Sequence, residues 1–274
     1  MPEGHHLHRL ALDCNRVFTG HTVAVSSPQG RFAESAALLD GREWFEARAH
    51  GKQLFCGFAD DVADDGALWI QIHLGLIGGL SFTPLAPPVG QVRLRMATEE
   101  VAADLRGPQV CRLVTGAEMA AVREKLGPDP LDPLADPDIA WRRIQRSSKP
   151  IAALLMDQSV LAGVGNVYRA EVLFRQRINP QREGRLLKKS SWAGIWDDLV
   201  ALMPLGVADD RIDTVRPEHT PEAMGRPPRV DDHGGEVYVY RRHDQSCLVC
   251  GSTVHKADLA GRNLYWCGKC QRRG

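Results

Sequence analysis

The sequence predicts an α+β chain of several domains: an N-terminal β-sandwich led by a helix, a helical middle domain, and a small metal-built β-hairpin at the C-terminus. Three observations carry this reading. Helical spacing at the very start gives way to short β-type runs as far as residue 113. Helical patterns then take over beyond a Pro/Asp-rich stretch. Last come four cysteines in two close pairs.

Each element follows from its residues. Pro2 fits a first helical turn, where its missing N–H is not needed. Leu7, Leu10, Ala11 and Cys14 then recur at helical spacing. The runs Thr22–Val25, Trp44–Ala49, Gln53–Phe58, Leu68–Leu74, Gly79–Thr83 and Gln91–Met96 are short and regularly spaced, as in a sandwich or barrel. Asp60–Gly66 reads as a polar turn between two of them. Gly127–Asp138 reads as a linker. Pro150–Gln158 and Asn166–Arg177 read as helices joined by the apolar turn Val160–Gly165, a helix-two-turn-helix arrangement. A further helix is expected over Ser191–Met203, a long loop over Asp209–Gly235, and a strand over Glu236–Arg242. The expected bounds are 1–115 for the sandwich, 116–138 for the linker, 139–235 for the helical domain and loop, and 236–274 for the C-terminal module.

That module carries Cys247, Cys250, Cys267 and Cys270 in the pattern C-x2-C-x16-C-x2-C. The spacing suits one structural Zn²⁺ held by four thiolates. A module this small cannot bury a stabilising core alone, so the metal supplies what the core lacks. Cys14, Cys56 and Cys111 are scattered and odd in number, which fits ordinary packing in a reducing cytoplasm. No stretch approaches the roughly 18 apolar residues of a membrane span.

Net charge is zero over 274 residues, but its distribution is uneven. Residues 140–189 hold eleven Lys/Arg against three Asp/Glu, and residues 237–274 hold seven against two. Two basic segments on an otherwise acidic chain form a footprint suited to a phosphate backbone.

The first turn also offers chemistry. Removal of Met1 would expose Pro2 as a secondary amine, and a neutral amine attacks an aldehyde or a sugar C1′. The helix dipole opposes a positive charge there and favours the neutral form. Glu3 stands beside it as a general acid and base.

Five segments stand in one order: Met-Pro-Glu-Gly at 1–4, Gly51-Lys52-Gln53-Leu54, His73-Leu74-Gly75-Leu76, Leu161 to Tyr168 with its Gly-Val-Gly-Asn turn, and Gly261-Arg262-Asn263 running into Cys267. Together they resemble the formamidopyrimidine-DNA glycosylase/endonuclease VIII family, from residue 2 to about residue 271, and most closely its bacterial endonuclease VIII branch. The resemblance implies a DNA glycosylase and abasic-site lyase of base excision repair, acting as a monomer in the bacterial nucleoid, with no membrane partner. Its partner is double-stranded DNA carrying damaged bases or abasic sites. Pro2 would be the nucleophile, Glu3 the proton shuttle and Lys52 the hairpin lysine near the lesion's sugar and phosphate. Gly165 and Asn166 would meet a phosphate at a helix start, and Arg262 would reach the phosphates flanking the flipped nucleotide. Lys125 falls where the branch has a DNA-contacting arginine. Leu76 and Ile77 occupy the wedge loop that holds the gap open.

The Arg-x-Phe filling pair of the oxidised-purine branch is missing from Leu105-Arg106-Gly107-Pro108-Gln109-Val110. That favours oxidised pyrimidines as substrates. Two other readings remain: an oxidised-purine glycosylase of the same family, and a zinc protein that binds damaged DNA without chemistry. His5-His6 replace the family's second Pro-Glu, so the role of that second carboxylate does not carry over.

Overall fold

A computed structural model describes residues 2–60, 66–230 and 235–272. Met1 and most of the expected turn at 60–66 lie outside the described residues, as do residues 231–234 of the expected long loop. The chain divides into two compact units, Met1–Lys125 and Leu126–Gly274.

The first unit opens with helix α1 (Gly4–Phe18), followed by β1 (Thr22–Ser26), α2 (Ala33–Leu39), β2 (Arg42–His50), β3 (Gln53–Ala59) and β4 (Ala67–His73). Then come β5 (Gly79–Pro84), β6 (Val92–Ala97), β7 (Val101–Arg106), β8 (Val110–Val114) and α3 (Gly116–Glu124). The strand order is β5-β7-β6-β1-β2-β3-β4-β8. Strand β1 is the seam: its first two residues pair with β2 and its last three with β6. The two halves enclose one core, in which Leu54, Cys56, Phe58, Ile70 and Ile72 meet Val23, Val25, Leu94, Met96 and Leu105. Helix α1 adds Leu7, Leu10, Ala11, Cys14 and Phe18, the stripe its spacing announces. Helix α2 is an element that the sequence reading does not contain.

One polar clamp fixes α1 on the sheet. Strand β2 has a bulge between Trp44 and Glu46, which disturbs the ladder there. Asn15 answers it: its side-chain oxygen accepts from the Ala47 N–H (2.6 Å) and the Trp44 indole (3.2 Å), and its amide donates to the Ala47 carbonyl (2.9 Å). This anchor orients the helix that Pro2 and Glu3 immediately precede; Pro2 lies ahead of the first turn rather than in it.

The second unit contains α4 (Pro137–Ile144), α5 (Ile151–Leu154), α6 (Asn166–Arg175), α7 (Lys189–Asp209), α8 (Pro221–Met224) and the hairpin β9 (Val254–Leu259) with β10 (Arg262–Cys267). Helical residues and hairpin residues share a single core, from Ala140 through Tyr168 to Leu264 and Cys267. The module expected over 236–274 is thus part of a larger body.

Three expectations need correction. Residues 127–130, at the start of the stretch read as a linker, are buried within the second unit. The Gly127 N–H donates to the Gln158 carbonyl, and the Ala162 N–H donates to the Pro128 carbonyl. A Cβ at Gly127 would lie 2.3 Å from the Val160 backbone, so only glycine fits. The helix expected over Pro150–Gln158 stops at Leu154. Gln158 organises the turn that follows, donating to the Met156 and Val164 carbonyls and accepting from the Gly163 N–H.

The third correction concerns Glu236–Arg242, which is not a strand. The Glu171 carboxylate accepts from the successive N–H groups of Tyr238, Val239 and Tyr240 at 2.7–2.9 Å, and from the Thr214 hydroxyl at 2.7 Å. Successive N–H groups of a strand point to opposite sides, so three converging on one carboxylate exclude extended geometry. Glu171 is fully buried, so its loss strands several donors in the core. We expect Glu171→Ala to lower the opening free energy of α6 amides by roughly 3 kcal/mol or more, read by hydrogen exchange. Glu124→Ala, on an exposed face of α3, should change it by less than about 0.5 kcal/mol.

Candidate nucleic-acid interface and metal centre

Pro2 is half-exposed and immediately precedes Glu3, which is 0% exposed at the N-cap of α1. Glu3 has extended backbone, and its carbonyl accepts the first helical bond from the His6 N–H. The buried His5 and half-buried His6 follow within the first turn.

Lys52 sits in the two-residue loop of the β2–β3 hairpin, where His50 pairs with Gln53. Gly51, at φ +56°, supplies the left-handed residue that such a tight loop needs. Burial lowers the pKa of His73, and the Lys52 charge lowers it further. A neutral ring suits its bonding, because His73 Nδ1 accepts from the Gly75 N–H at 3.1 Å. Nothing in the sequence marks His73 for this role. It links the lysine hairpin to the turn after β4.

That turn presents Leu76 and Ile77, which are 54% and 90% exposed. They therefore do not pack as strand-end core. Leu74 before them is buried, and the Gly78 N–H closes the turn on the Leu74 carbonyl at 3.1 Å. Lys125 is exposed at the C-cap of α3, and the structure shows no partner that draws it into this group among the described residues.

In the second unit, Gly165 is the N-cap of α6 and Asn166 is its first residue, so Asn166 is not the cap itself. The Asn166 amide donates to the Asn263 carbonyl at 3.0 Å, and its oxygen accepts from Arg169. Arg169 donates to the same Asn263 carbonyl at 3.0 Å. The start of α6 is thereby tied to β10, beside Arg262. Among the described residues the half-exposed Arg262 guanidinium makes no ion pair or hydrogen bond. Asn263 stands in one of the five motif segments without a role of its own, and Arg169 has none from sequence. Charged residues at Arg169 and Glu171, set among apolar ones on one helix, were the available signal, because a buried charge needs a partner.

The Sγ atoms of Cys247, Cys250, Cys267 and Cys270 all lie within 4.8 Å of one another. Cys247 and Cys270 are 3.9 Å apart, and Cys250 and Cys267 are 3.5 Å apart. A disulfide needs about 2.05 Å. Tetrahedral Zn²⁺ with bonds of about 2.3 Å places its sulfurs about 3.8 Å apart, so these four residues fit the metal. Gln271 seats the site: its side-chain oxygen accepts from the Cys267 N–H, and its amide donates to the Ile178 carbonyl.

Comparison with known proteins agrees with this layout. The formamidopyrimidine-DNA glycosylase N-terminal domain matches residues 1–111, its H2TH domain residues 126–216, and the zinc finger found in FPG and IleRS residues 244–273. Endonuclease 8 1 of Mycobacterium tuberculosis is 49% identical over 279 residues, covering 99% of this chain and 100% of the relative. The chain belongs to the formamidopyrimidine-DNA glycosylase/endonuclease VIII family. Members of this family are DNA glycosylases for oxidised bases in DNA repair. A formamidopyrimidine-DNA glycosylase of Stenotrophomonas maltophilia is 31% identical, over 87% of this chain and 86% of its own. The Lactococcus lactis Fpg (MutM), solved with DNA containing N7-benzyl-Fapy-dG, shares the fold at TM-score 0.80 and 21% identity, over 99% of this chain and 100% of that one. No helix among the described residues is long and apolar enough to cross a membrane.

Two measurements check the site. The Gly75 amide resonance should titrate with His73, with a midpoint below the ordinary histidine value of about 6.5. Above that midpoint Nδ1 is free to accept; below it the added proton removes the acceptor. A midpoint above 6.5 contradicts the arrangement. Stripping zinc, or Cys247→Ser, should expose the amides of α6 and β10 to exchange while β3 and β4 stay protected, because the metal site shares its core with the second unit alone.

Proposed function

We propose that this chain is a bifunctional DNA glycosylase and abasic-site lyase acting on oxidised bases, preferably pyrimidines, in double-stranded DNA. The observation that carries the reading is the opening turn: a half-exposed Pro2 joined to a completely buried Glu3 at the start of a clamped helix.

With Met1 removed, Pro2 is an N-terminal imino group. An α-amino group has a reference pKa of about 7.7–8.0, and the helix dipole lowers it, so an appreciable fraction is neutral at pH 7. The neutral nitrogen attacks C1′ of the damaged nucleoside as the base departs, and Glu3 delivers a proton to the opening sugar. Loss of the nitrogen's own proton leaves a cationic Schiff base. Its charge acidifies the adjacent C2′–H, and removal of that proton expels the 3′ phosphate. A second elimination expels the 5′ phosphate and leaves a gap with phosphates on both sides. Lys52 supplies positive charge at the sugar and phosphate.

Holding the target outside the stack costs a few kcal/mol. Leu76 and Ile77, exposed on a closed turn, are the wedge. Arg262 and the positive end of α6 at Gly165 and Asn166 hold flanking phosphates. One of the two Asn166 amide hydrogens is spent on Asn263, which leaves one for the strand. The pyrimidine preference rests on the 49% identity to Endonuclease 8 1 over the full chain and on the absence of the Arg-x-Phe pair.

Borohydride reduction on a duplex containing dihydrothymine should trap a covalent adduct at Pro2, located by mass spectrometry. The adduct should vanish when the N-terminus is blocked. Intact protein with a free Pro2 that leaves the duplex uncut and unlinked defeats the proposal, and faster excision of 8-oxoguanine opposite cytosine than of dihydrothymine defeats the pyrimidine preference.

A further inference from the structure

The C-terminal end of α6 borders a cavity of about 120 Å³, lined among others by Arg175, Arg177, Arg216, Glu218, His219 and Tyr238. Asn166 stands at the other end of the helix, about 14 Å away at 1.5 Å per residue. Phe174 and Tyr238 stack on this wall with centroids 4.6 Å apart. The Tyr238 hydroxyl accepts from the Arg216 N–H at 2.9 Å and lies 2.9 Å from His219 Nδ1. Burial pushes the Tyr238 phenol up, so it keeps its hydrogen.

The three arginines differ. Arg175 is engaged, donating to Asp198 at 2.7 Å and to the Thr214 carbonyl at 2.6 Å. Arg177 and Arg216 are exposed, and among the described residues neither guanidinium makes an ion pair or hydrogen bond. Glu218 is 60% exposed and lies 3.9 Å from His219 Nδ1.

We propose that this cavity binds a single phosphate group, either free inorganic phosphate or the terminal phosphate of a nucleic-acid strand. Sites for drug-sized ligands occupy about 300–1,000 Å³, so this space suits one small group. A planar carboxylate is saturated by one guanidinium fork, whereas a tetrahedral dianion takes donors from several sides. The two unengaged guanidiniums of Arg177 and Arg216 approach from different elements and supply such donors.

A competing duty for the arginines is charge balance. Cys270 and Val249 also line the cavity, and four thiolates around one Zn²⁺ leave a net negative charge. The experiment separates the two. Zinc-loaded full chain is titrated calorimetrically with inorganic phosphate, and separately with a short single strand ending in a 5′-phosphate or in a 5′-hydroxyl. Uptake is expected for inorganic phosphate, or for the phosphorylated strand over its hydroxyl twin; which arm responds identifies the source. Arg177→Ala with Arg216→Ala should weaken that uptake about tenfold or more at unchanged zinc content. Should the double variant fail to fold, Arg177→Gln alone serves, with a smaller loss in the same direction. No response in either arm overturns the proposal, as does equal affinity in the variant. Zinc loss in the variant without any phosphate response assigns the arginines to the metal and overturns it too.

Discussion

The Glu171 carboxylate is the interaction on which the second unit depends. A fully buried charge is tolerated only where its lone pairs are filled, and here three backbone N–H groups and a hydroxyl fill them. The bonds join the middle of α6 to residues 238–240, just ahead of the first zinc cysteines. Their effect reaches both neighbours. Tyr238 is set where it can stack on Phe174, and Tyr240 meets Tyr265 of the hairpin at 5.5 Å. Further down, Arg242 donates to the Tyr238 and Ser246 carbonyls. The metal module is therefore hung from the helix by a chain of hydrogen bonds, and the metal need not organise it alone.

The same logic acts at the start of α6. Asn166 and Arg169 converge on one carbonyl of Asn263, which fixes β10 against the helix. Arg262 projects from the adjacent position. A long flexible side chain is useful for phosphate contact only when its backbone is held. The zinc thiolates hold the far end of β10 and the Asn263 carbonyl holds the near end.

Much of this was legible in the sequence because it is local. The stripe on α1, the paired cysteines and the glycine-turned β2–β3 hairpin each declare themselves within a few residues. What stayed hidden is non-local. Glu171 finds its three backbone donors 67 to 69 residues away, and no periodicity in Glu236–Arg242 reveals that these donors turn towards one point. That segment carries alternating valines and tyrosines, a strand pattern overruled by a buried charge. The Gly127–Asp138 stretch misled for a related reason: proline and aspartate mark irregular backbone, but irregular backbone can also be packed. Asn15 was invisible because the bulge it answers lies on another element.

The turn after β4 separates its duties by position. Gly75 sits at φ +71°, and a Cβ at Gly78 would lie 2.3 Å from the Leu74 carbonyl, so the flanks cannot accept other side chains. Between them, Leu76 and Ile77 point outward and contribute little to holding the domain together. If those two side chains are the proposed wedge, they can be exchanged almost without regard to folding, and with them the gap that is propped open. A scaffold built this way stays put while its exposed turn changes.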